Sequence, residues 1–327
     1  MDCMRTTGGL FYILWGRGIM EALKLPKSYR EQVAILKGRG LHFTDEKDAE
    51  EILSQVNYYR LINAYSLGLY TPTCDPSAEP TYANGVSFFQ IYDLYCFDTK
   101  LRQIVSSLIE PFELEFKTKL AYYLSQKYCS TCYLSSGIFQ NPDFHESFKQ
   151  DVEREKRQQC RSPIVAHHNE KYDGVLPIWA AVEILSFGAV SKMFKNLNAA
   201  DRQAFSLTNY RAPEWYLTSW LGCFVEARNI CAHYGRLYNR NLLLRARMFS
   251  DYRAIINGYK IFSVIFLAFK LSSDTSLKLS LAVRLNGMLT QHTSVDLNRI
   301  GFPENWSEIL SVVGKIPDVN SQIDLDD

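Results

Sequence analysis

The sequence lacks the features that mark membrane proteins, disulfide-rich secreted proteins and polycations. No apolar run approaches the roughly 18 residues of a membrane-spanning helix. The longest one, residues 261–269, is typical of a buried helix. Eight cysteines lie scattered without a secretory disulfide framework, which indicates reduced thiols in a cytoplasmic protein. The chain has 36 lysines and arginines and 35 aspartates and glutamates. Because these charges nearly cancel, any nucleic-acid binding must depend on a local basic patch.

The sequence also lacks the common signatures of nucleotide hydrolases, serine hydrolases and zinc proteases. It contains no GxxxxGK[ST], no GxSxG and no HExxH. Cys129 and Cys132 have the spacing of metal ligands, but no second CxxC follows, and a structural zinc ion needs about four ligands. The sequence therefore predicts neither a metal site nor another cofactor.

Apolar residues recur at helical spacing along most of the chain, and nowhere do they alternate as in a strand. This pattern predicts an all-α protein. Three long helices are expected near residues 87–127, 177–197 and 213–233. Pro111 falls inside the first of them and is expected to kink or break it, because proline has no N–H and clashes with the preceding turn.

The chain is expected to contain three regions. Residues 1–85 form an N-terminal helical region that ends in a loop with three prolines and a glycine. Residues 86–250 form the helical core. Residues 251–327 form a C-terminal helical region with an acidic tail. Within the core, Asp98 and Arg102 are spaced i, i+4 and are expected to make an ordinary helix pair.

The most distinctive stretch is residues 226–240, with the sequence EARNICAHYGRLYNR. The apolar stripe before it predicts a helix that starts near Pro213 and ends near Gly235. From position 228 to position 247 there are five arginines and one histidine but no acidic residue. The carboxyl end of a helix favours cations, and guanidinium groups suit phosphate. The stretch therefore predicts a binding site for an anion.

Arg228 and His233 form an R-x4-H pattern that resembles the R-x4-6-H motif of HEPN domains. The longer string RNICAHYGRLYNR resembles the form of this motif in the AbiD/AbiF-like abortive-infection family of bacterial phage-defence proteins. Six further blocks resemble that family in the same order: LPKSYREQ, NYYRL, LYCFDTKLR, HHNEKY, LPIWAAVEILSFGAVSKMFKNL and GFPENW. Tyr234 departs from the pattern, since relatives often carry a second histidine there. Because the resemblance begins near residue 25, Met20 is a candidate for the native start alongside Met1.

The resemblance implies a HEPN-like helical bundle with additional N- and C-terminal helices, and a metal-independent endoribonuclease that acts as a phage-defence toxin. His233 would move protons, Arg228 would stabilise the phosphorane charge, and Asn229 would position either group. HEPN nucleases pair motifs from two protomers or two domains, so with one motif in this chain the resemblance implies a homodimer. Five helical steps rotate the two side chains about 140° apart, so either a facing copy or a distortion of the helix end would bring them together. RNA is the expected substrate, and an RNA or protein antitoxin the expected restraint.

Other residues near the motif have two possible roles. Arg236, Asn239 and Arg240 either hold neighbouring phosphates or pair with carboxylates of another helix. Tyr234 either stacks on a base or packs in the core. His167, in the HHNEKY block, either lines the same groove or is a structural loop histidine. All five are candidate RNA-binding residues.

The motif itself also has alternative interpretations. Arg228 could cap the carbonyls at the end of its helix, and His233 could be a packed polar residue. The protein would then be a noncatalytic RNA-binding module that holds a structured RNA, or a helical adaptor. Catalysis needs His233, whereas RNA binding needs mainly the arginines, so the two residues distinguish these functions.

Overall fold

The computed structural model describes residues 25–72, 79–293 and 295–314. Met20, the candidate start, and the acidic tail from residue 318 onward lie outside the described residues. The described part contains twelve α-helices and no β-strand, which confirms the all-α prediction. Within these residues, no helix is both long enough and apolar enough to cross a membrane.

The chain divides into two compact units, Met1–Tyr92 and Asp93–Asp327, and the boundary falls near the start of α3. The expected three-part division remains a prediction. In the first unit, α1 (Tyr29–Gly38) packs against α2 (Glu46–Gln55). A capping box between Ser28 and Glu31 starts α1. A short π-helix, Tyr59–Asn63, follows α2.

The second unit contains most of α3 and all later helices. Their bounds are α3 Phe88–Lys127, α4 Pro142–Gln158, α5 Pro163–Lys171, α6 Ile178–Ile184, α7 Phe187–Asn196, α8 Ala199–Tyr210, α9 Glu214–Ala232, α10 Ile261–Leu271, α11 Thr275–Gln291 and α12 Trp306–Gly314. Short 3-10 helices lie at Cys132–Leu134, Ser136–Ile138, Ser250–Tyr252 and Leu297–Ile300.

The expected break at Pro111 does not occur, since α3 is one helix of 40 residues that includes the proline. The alternative expectation, a kink, stays a prediction. The apolar stripe runs on both sides of the proline: Leu108, Phe112 and Phe116 are all buried. A proline costs an interior helix about 3 kcal/mol, and burying a side chain of this size contributes about 1.5–3 kcal/mol. Packing of the second half of α3 therefore outweighs the penalty.

The single helix expected at 177–197 is in fact two helices, α6 and α7, separated at Leu185 and Ser186. The Ser186 hydroxyl accepts a hydrogen bond from the Ala189 N–H at 3.2 Å, which starts α7 with a side-chain cap. The Leu185 carbonyl accepts from the Lys117 ammonium of α3 at 2.8 Å. The backbone groups on both sides of the break therefore have polar partners.

Helix α9 occupies the centre of the second unit and packs against α7, α8 and α10. Its Trp220 and Phe224 are completely buried. Phe224 lies edge-on to Phe112 of α3, with ring centroids 4.6 Å apart. Aromatic rings from α3, α7 and α8 complete this core, among them Phe116, Phe187, Phe194 and Phe205. The core fixes α9, and with it the position of the motif at its carboxyl end.

Candidate functional site

The motif helix ends in a Schellman motif. His233 is the C-cap residue of α9, and the Tyr234 N–H donates to the Cys231 carbonyl at 3.1 Å. The Gly235 N–H donates to the Ile230 carbonyl at 2.7 Å. A Cβ at Gly235 would lie 3.1 Å from the Ile230 methyl group, so the close approach favours glycine. The predicted helix end is therefore correct to within about one residue.

Tyr234 holds the left-handed position of this helix end, with φ of +56°. Glycine usually occupies that position, and a tyrosine there is strained by about 1–3 kcal/mol. Its side chain is 69% exposed, so the prediction that it packs in the core is wrong. The structure therefore presents an aromatic ring at the surface directly beside His233.

Arg228 lies one turn earlier on α9, and a chain of charged side chains holds its guanidinium group. Its Nε lies 3.7 Å from Oε2 of Glu113 on α3, which is an ion pair too long for a hydrogen bond. The other oxygen of Glu113 lies 3.0 Å from the Lys117 ammonium. The Arg228 side chain is 43% exposed, whereas those of Glu113 and Lys117 are 13% and 7% exposed. The buried pair thus anchors a guanidinium group that still reaches solvent.

Asn229 and His233 are both exposed, so His233 is not the packed residue of the alternative interpretation. Within the described residues, no hydrogen bond joins the Arg228 guanidinium to the His233 imidazole. The partner of Arg228 is a carboxylate of α3, so the alternative role as a cap for helix carbonyls receives no support. The three motif residues share the last turns of one rigid helix and remain accessible to a ligand.

The segment after the motif is held by Asp98, which is completely buried on α3. Its carboxylate accepts from the Leu237 N–H at 3.1 Å and from the Tyr238 N–H at 2.6 Å. Arg102 donates to the same carboxylate at 2.6 Å and to the Gly235 carbonyl at 3.4 Å. The predicted i, i+4 pair is therefore confirmed, but it is buried and also binds backbone groups, so it is not an ordinary helix pair. Asp98 and Arg102 together fix the backbone on both sides of position 236.

The three polar candidates of this segment differ in their surroundings. Arg236 is half-buried and lies near a second cation, Lys260. Burial lowers the pKa of Lys260, and the charges of Arg236 and Arg299 lower it further. Asn239 is half-buried and left-handed, with φ of +51°. Arg240 is exposed and makes no hydrogen bond or ion pair within the described residues, so its predicted carboxylate partner is absent there.

Residues 240–248 run back along α9 and are fixed to it by polar contacts. The Glu226 carboxylate accepts from the Leu243 N–H through both oxygens, at 2.9 and 3.0 Å. Farther along, the Trp220 indole donates to the Arg247 carbonyl at 2.7 Å. Arg245 and Arg247 are exposed on this segment. The Glu226 carboxylate thus binds backbone amides of this segment and does not neutralise the charges of its arginines.

His167 lies on α5, where it is exposed. Its ring neighbours in the described part of the chain are His168, at 5.3 Å between centroids, and Tyr172, at 5.7 Å. Both belong to the same sequence block. The structure therefore shows His167 among its own neighbours, and its place in an RNA groove stays a prediction.

Two residues of the site escaped the sequence analysis, namely Glu113 and Lys117. A signal for them exists, because they precede the buried Phe116 and Leu120 by three positions and so share the buried face of α3.

No group of three or more potential metal ligands occurs within the described residues. At the CxxC sequence, burial raises the pKa of the Cys132 thiol to about 11, which disfavours the thiolate that a metal needs.

Fold and site together define an all-α protein whose central helix ends in the half-buried Arg228 and the exposed Asn229 and His233, followed by a fixed basic segment. A family model described as "Abi-like protein" matches residues 51–239, more than half of the chain. The chain belongs to this family, as the resemblance of its sequence blocks predicted. Membership indicates a role in abortive infection, the bacterial defence against phages. No curated protein and no solved structure matches the chain significantly.

Proposed function

We propose that this protein is a HEPN-type, metal-independent endoribonuclease that acts as an abortive-infection toxin in the cytoplasm. The observation that carries the proposal is the end of α9. There an accessible imidazole and a partly exposed guanidinium lie on one rigid helix terminus, ahead of a segment rich in arginine. The family match includes all of these residues up to position 239. An RNA or protein antitoxin would restrain such a toxin.

The reaction is cleavage of RNA by its own 2′-OH. The hydroxyl loses a proton to a base and attacks phosphorus, the phosphorane carries extra negative charge, and the 5′-oxygen leaves with a proton. An imidazole can move protons near neutral pH, which assigns that role to His233. Arg228 stabilises the phosphorane charge, and Asn229 positions the reacting groups through its amide. The products carry a 2′,3′-cyclic phosphate and a 5′-hydroxyl.

The mechanism needs one group to accept a proton and another to donate one, but each chain supplies one motif. A homodimer that brings two copies of the α9 terminus together would supply both imidazoles. It would also explain why Arg228 and His233 need not meet within one chain. In such a dimer, Arg236, Asn239 and Arg240 bind the RNA backbone, and the exposed ring of Tyr234 stacks on a base.

The second candidate is a noncatalytic RNA-binding module that uses the same surface. The observation that favours it is the extent of the basic segment, because Arg240, Arg245 and Arg247 follow His233 in the chain and are all exposed. Such a surface would hold the phosphates of a structured RNA without any proton transfer.

Expression of the wild type beside His233→Ala separates the two candidates. A ribonuclease toxin arrests growth as the wild type, whereas the variant is tolerated. Exposed His42, in the first unit, offers a matched control, and His42→Ala should remain toxic. Equal toxicity of the wild type and His233→Ala would contradict the proposed catalysis. Arg228→Ala should weaken both toxicity and RNA binding, because it removes a fixed charge.

A further inference from the structure

A pocket far along the chain from the motif lies among the three last helices. Its volume is about 440 Å³, within the range of small-molecule sites. Phe269 of α10 forms part of its wall, and aliphatic and hydroxyl side chains of α11 and α12 form the rest. The lining residues are Phe269, Thr275, Lys278, Leu279, Ala282, Val283, Asn286, Trp306, Ser307, Leu310 and Ser311.

Lys278 is the one charged side chain among these lining residues. It is only 9% exposed, and within the described residues its ammonium makes no hydrogen bond or ion pair. The ring of Phe269 lies near the ammonium, with the nitrogen 5.9 Å from the centroid. Burial lowers the pKa of Lys278, and no described carboxylate opposes that shift. Burial of most of the side chain disfavours an unpaired charge, so an anion in the pocket would give the ammonium a favourable partner.

We infer that this pocket binds an amphipathic anion consisting of an alkyl chain with a terminal carboxylate. The aliphatic walls of Leu279, Val283 and Leu310 suit the chain, because burying apolar surface is favourable. The Lys278 ammonium pairs with the carboxylate, and the hydroxyl of Thr275 can donate to it. A nucleotide would require more polar partners than these walls offer. The inference is independent of RNA cleavage.

Calorimetric titration of the full chain with decanoate, below its micelle concentration, tests this inference. Decanol is the neutral matched ligand, and Lys278→Met keeps the length of the side chain while removing its charge. We expect decanoate to bind the wild type more tightly than decanol. In Lys278→Met, decanoate should bind about 10- to 100-fold more weakly, because a hydrogen bond to a charged group is lost, while decanol binding stays unchanged. Lys192→Met, at an exposed lysine of α7, should bind decanoate like the wild type.

A pocket-filling variant makes the result decisive even if Lys278→Met folds poorly. Ala282 is exposed at the pocket wall, so Ala282→Trp should fold and should abolish the binding of both ligands. Equal decanoate affinity in the wild type and Lys278→Met would overturn the inference, as would undiminished binding in Ala282→Trp. Absence of decanoate binding to the full chain would overturn it too.

Discussion

Replacing Asp98 by asparagine tests whether α3 fixes the segment that follows the motif. The wild-type carboxylate is completely buried and accepts from two backbone N–H groups and from Arg102. Asparagine keeps the size of the side chain but removes its charge. Its amide group also places a donor where the wild type has an acceptor. The change therefore leaves the buried Arg102 charge without its counterion.

The structure sets the size of the expected effect. Arg102 is 6% exposed, and breaking a buried ion pair by removing one partner costs about 3–5 kcal/mol. Glu115 offers a matched control, because it forms an i, i+4 pair with Lys119 on the same helix. That pair is far more exposed, at 31% and 36% of each side chain. Glu115→Gln should cost about 1 kcal/mol or less.

The assay is urea unfolding of both variants, followed by circular dichroism at equal protein concentration. We expect Asp98→Asn to lower the free energy of unfolding by about 3–5 kcal/mol relative to the wild type. RNA affinity measured under folding conditions should also fall, since Arg236 sits between the two fixed backbone positions. If Asp98→Asn and Glu115→Gln lose the same stability within about 0.5 kcal/mol, the assigned role of Asp98 is refuted.

Three further predictions concern the motif. Glu113→Gln should reduce RNA cleavage by up to about 10²-fold, because Arg228 loses the carboxylate that orients it. RNA affinity should change little. Cleavage equal to that of Glu115→Gln would contradict the role of Glu113 in orienting Arg228. Cleavage should survive EDTA, whereas loss on chelation and recovery with a divalent ion would exclude the metal-independent mechanism. Sedimentation over a wide concentration range should reveal a dimer, and a persistent monomer that still cleaves RNA would refute shared motifs.

The sequence was sufficient to predict the all-α class and the motif helix. Apolar periodicity is a local signal, and in α9 it is strong because Leu217, Trp220 and Phe224 all face the core. The break between α6 and α7 also has a local cause, the Ser186 cap. It was missed because the apolar stripe continues across the break. At Pro111 the sequence predicted a break that is absent, because packing of α3 outweighs the local helix breaker.

The contacts that hold the candidate site could not be predicted in the same way. Asp98 meets backbone N–H groups some 139 positions later in the chain, and no periodic pattern encodes such a partner. The i, i+4 spacing of Asp98 and Arg102 looks the same whether the pair is exposed or buried. Tyr234 takes a backbone conformation that normally indicates glycine, so residue preference could not decide between an exposed ring and one packed in the core.

The central claim is that His233 transfers protons during RNA cleavage. Its most direct test is a cleavage assay on purified wild type and His233→Ala, with RNA affinity and the chemistry of the new ends measured in parallel. We expect wild-type products with a 2′,3′-cyclic phosphate and a 5′-hydroxyl. Cleavage by His233→Ala should be roughly 10²–10⁴-fold slower at nearly unchanged RNA affinity. A 5′-phosphate end, or equal cleavage by the variant, would contradict the claim.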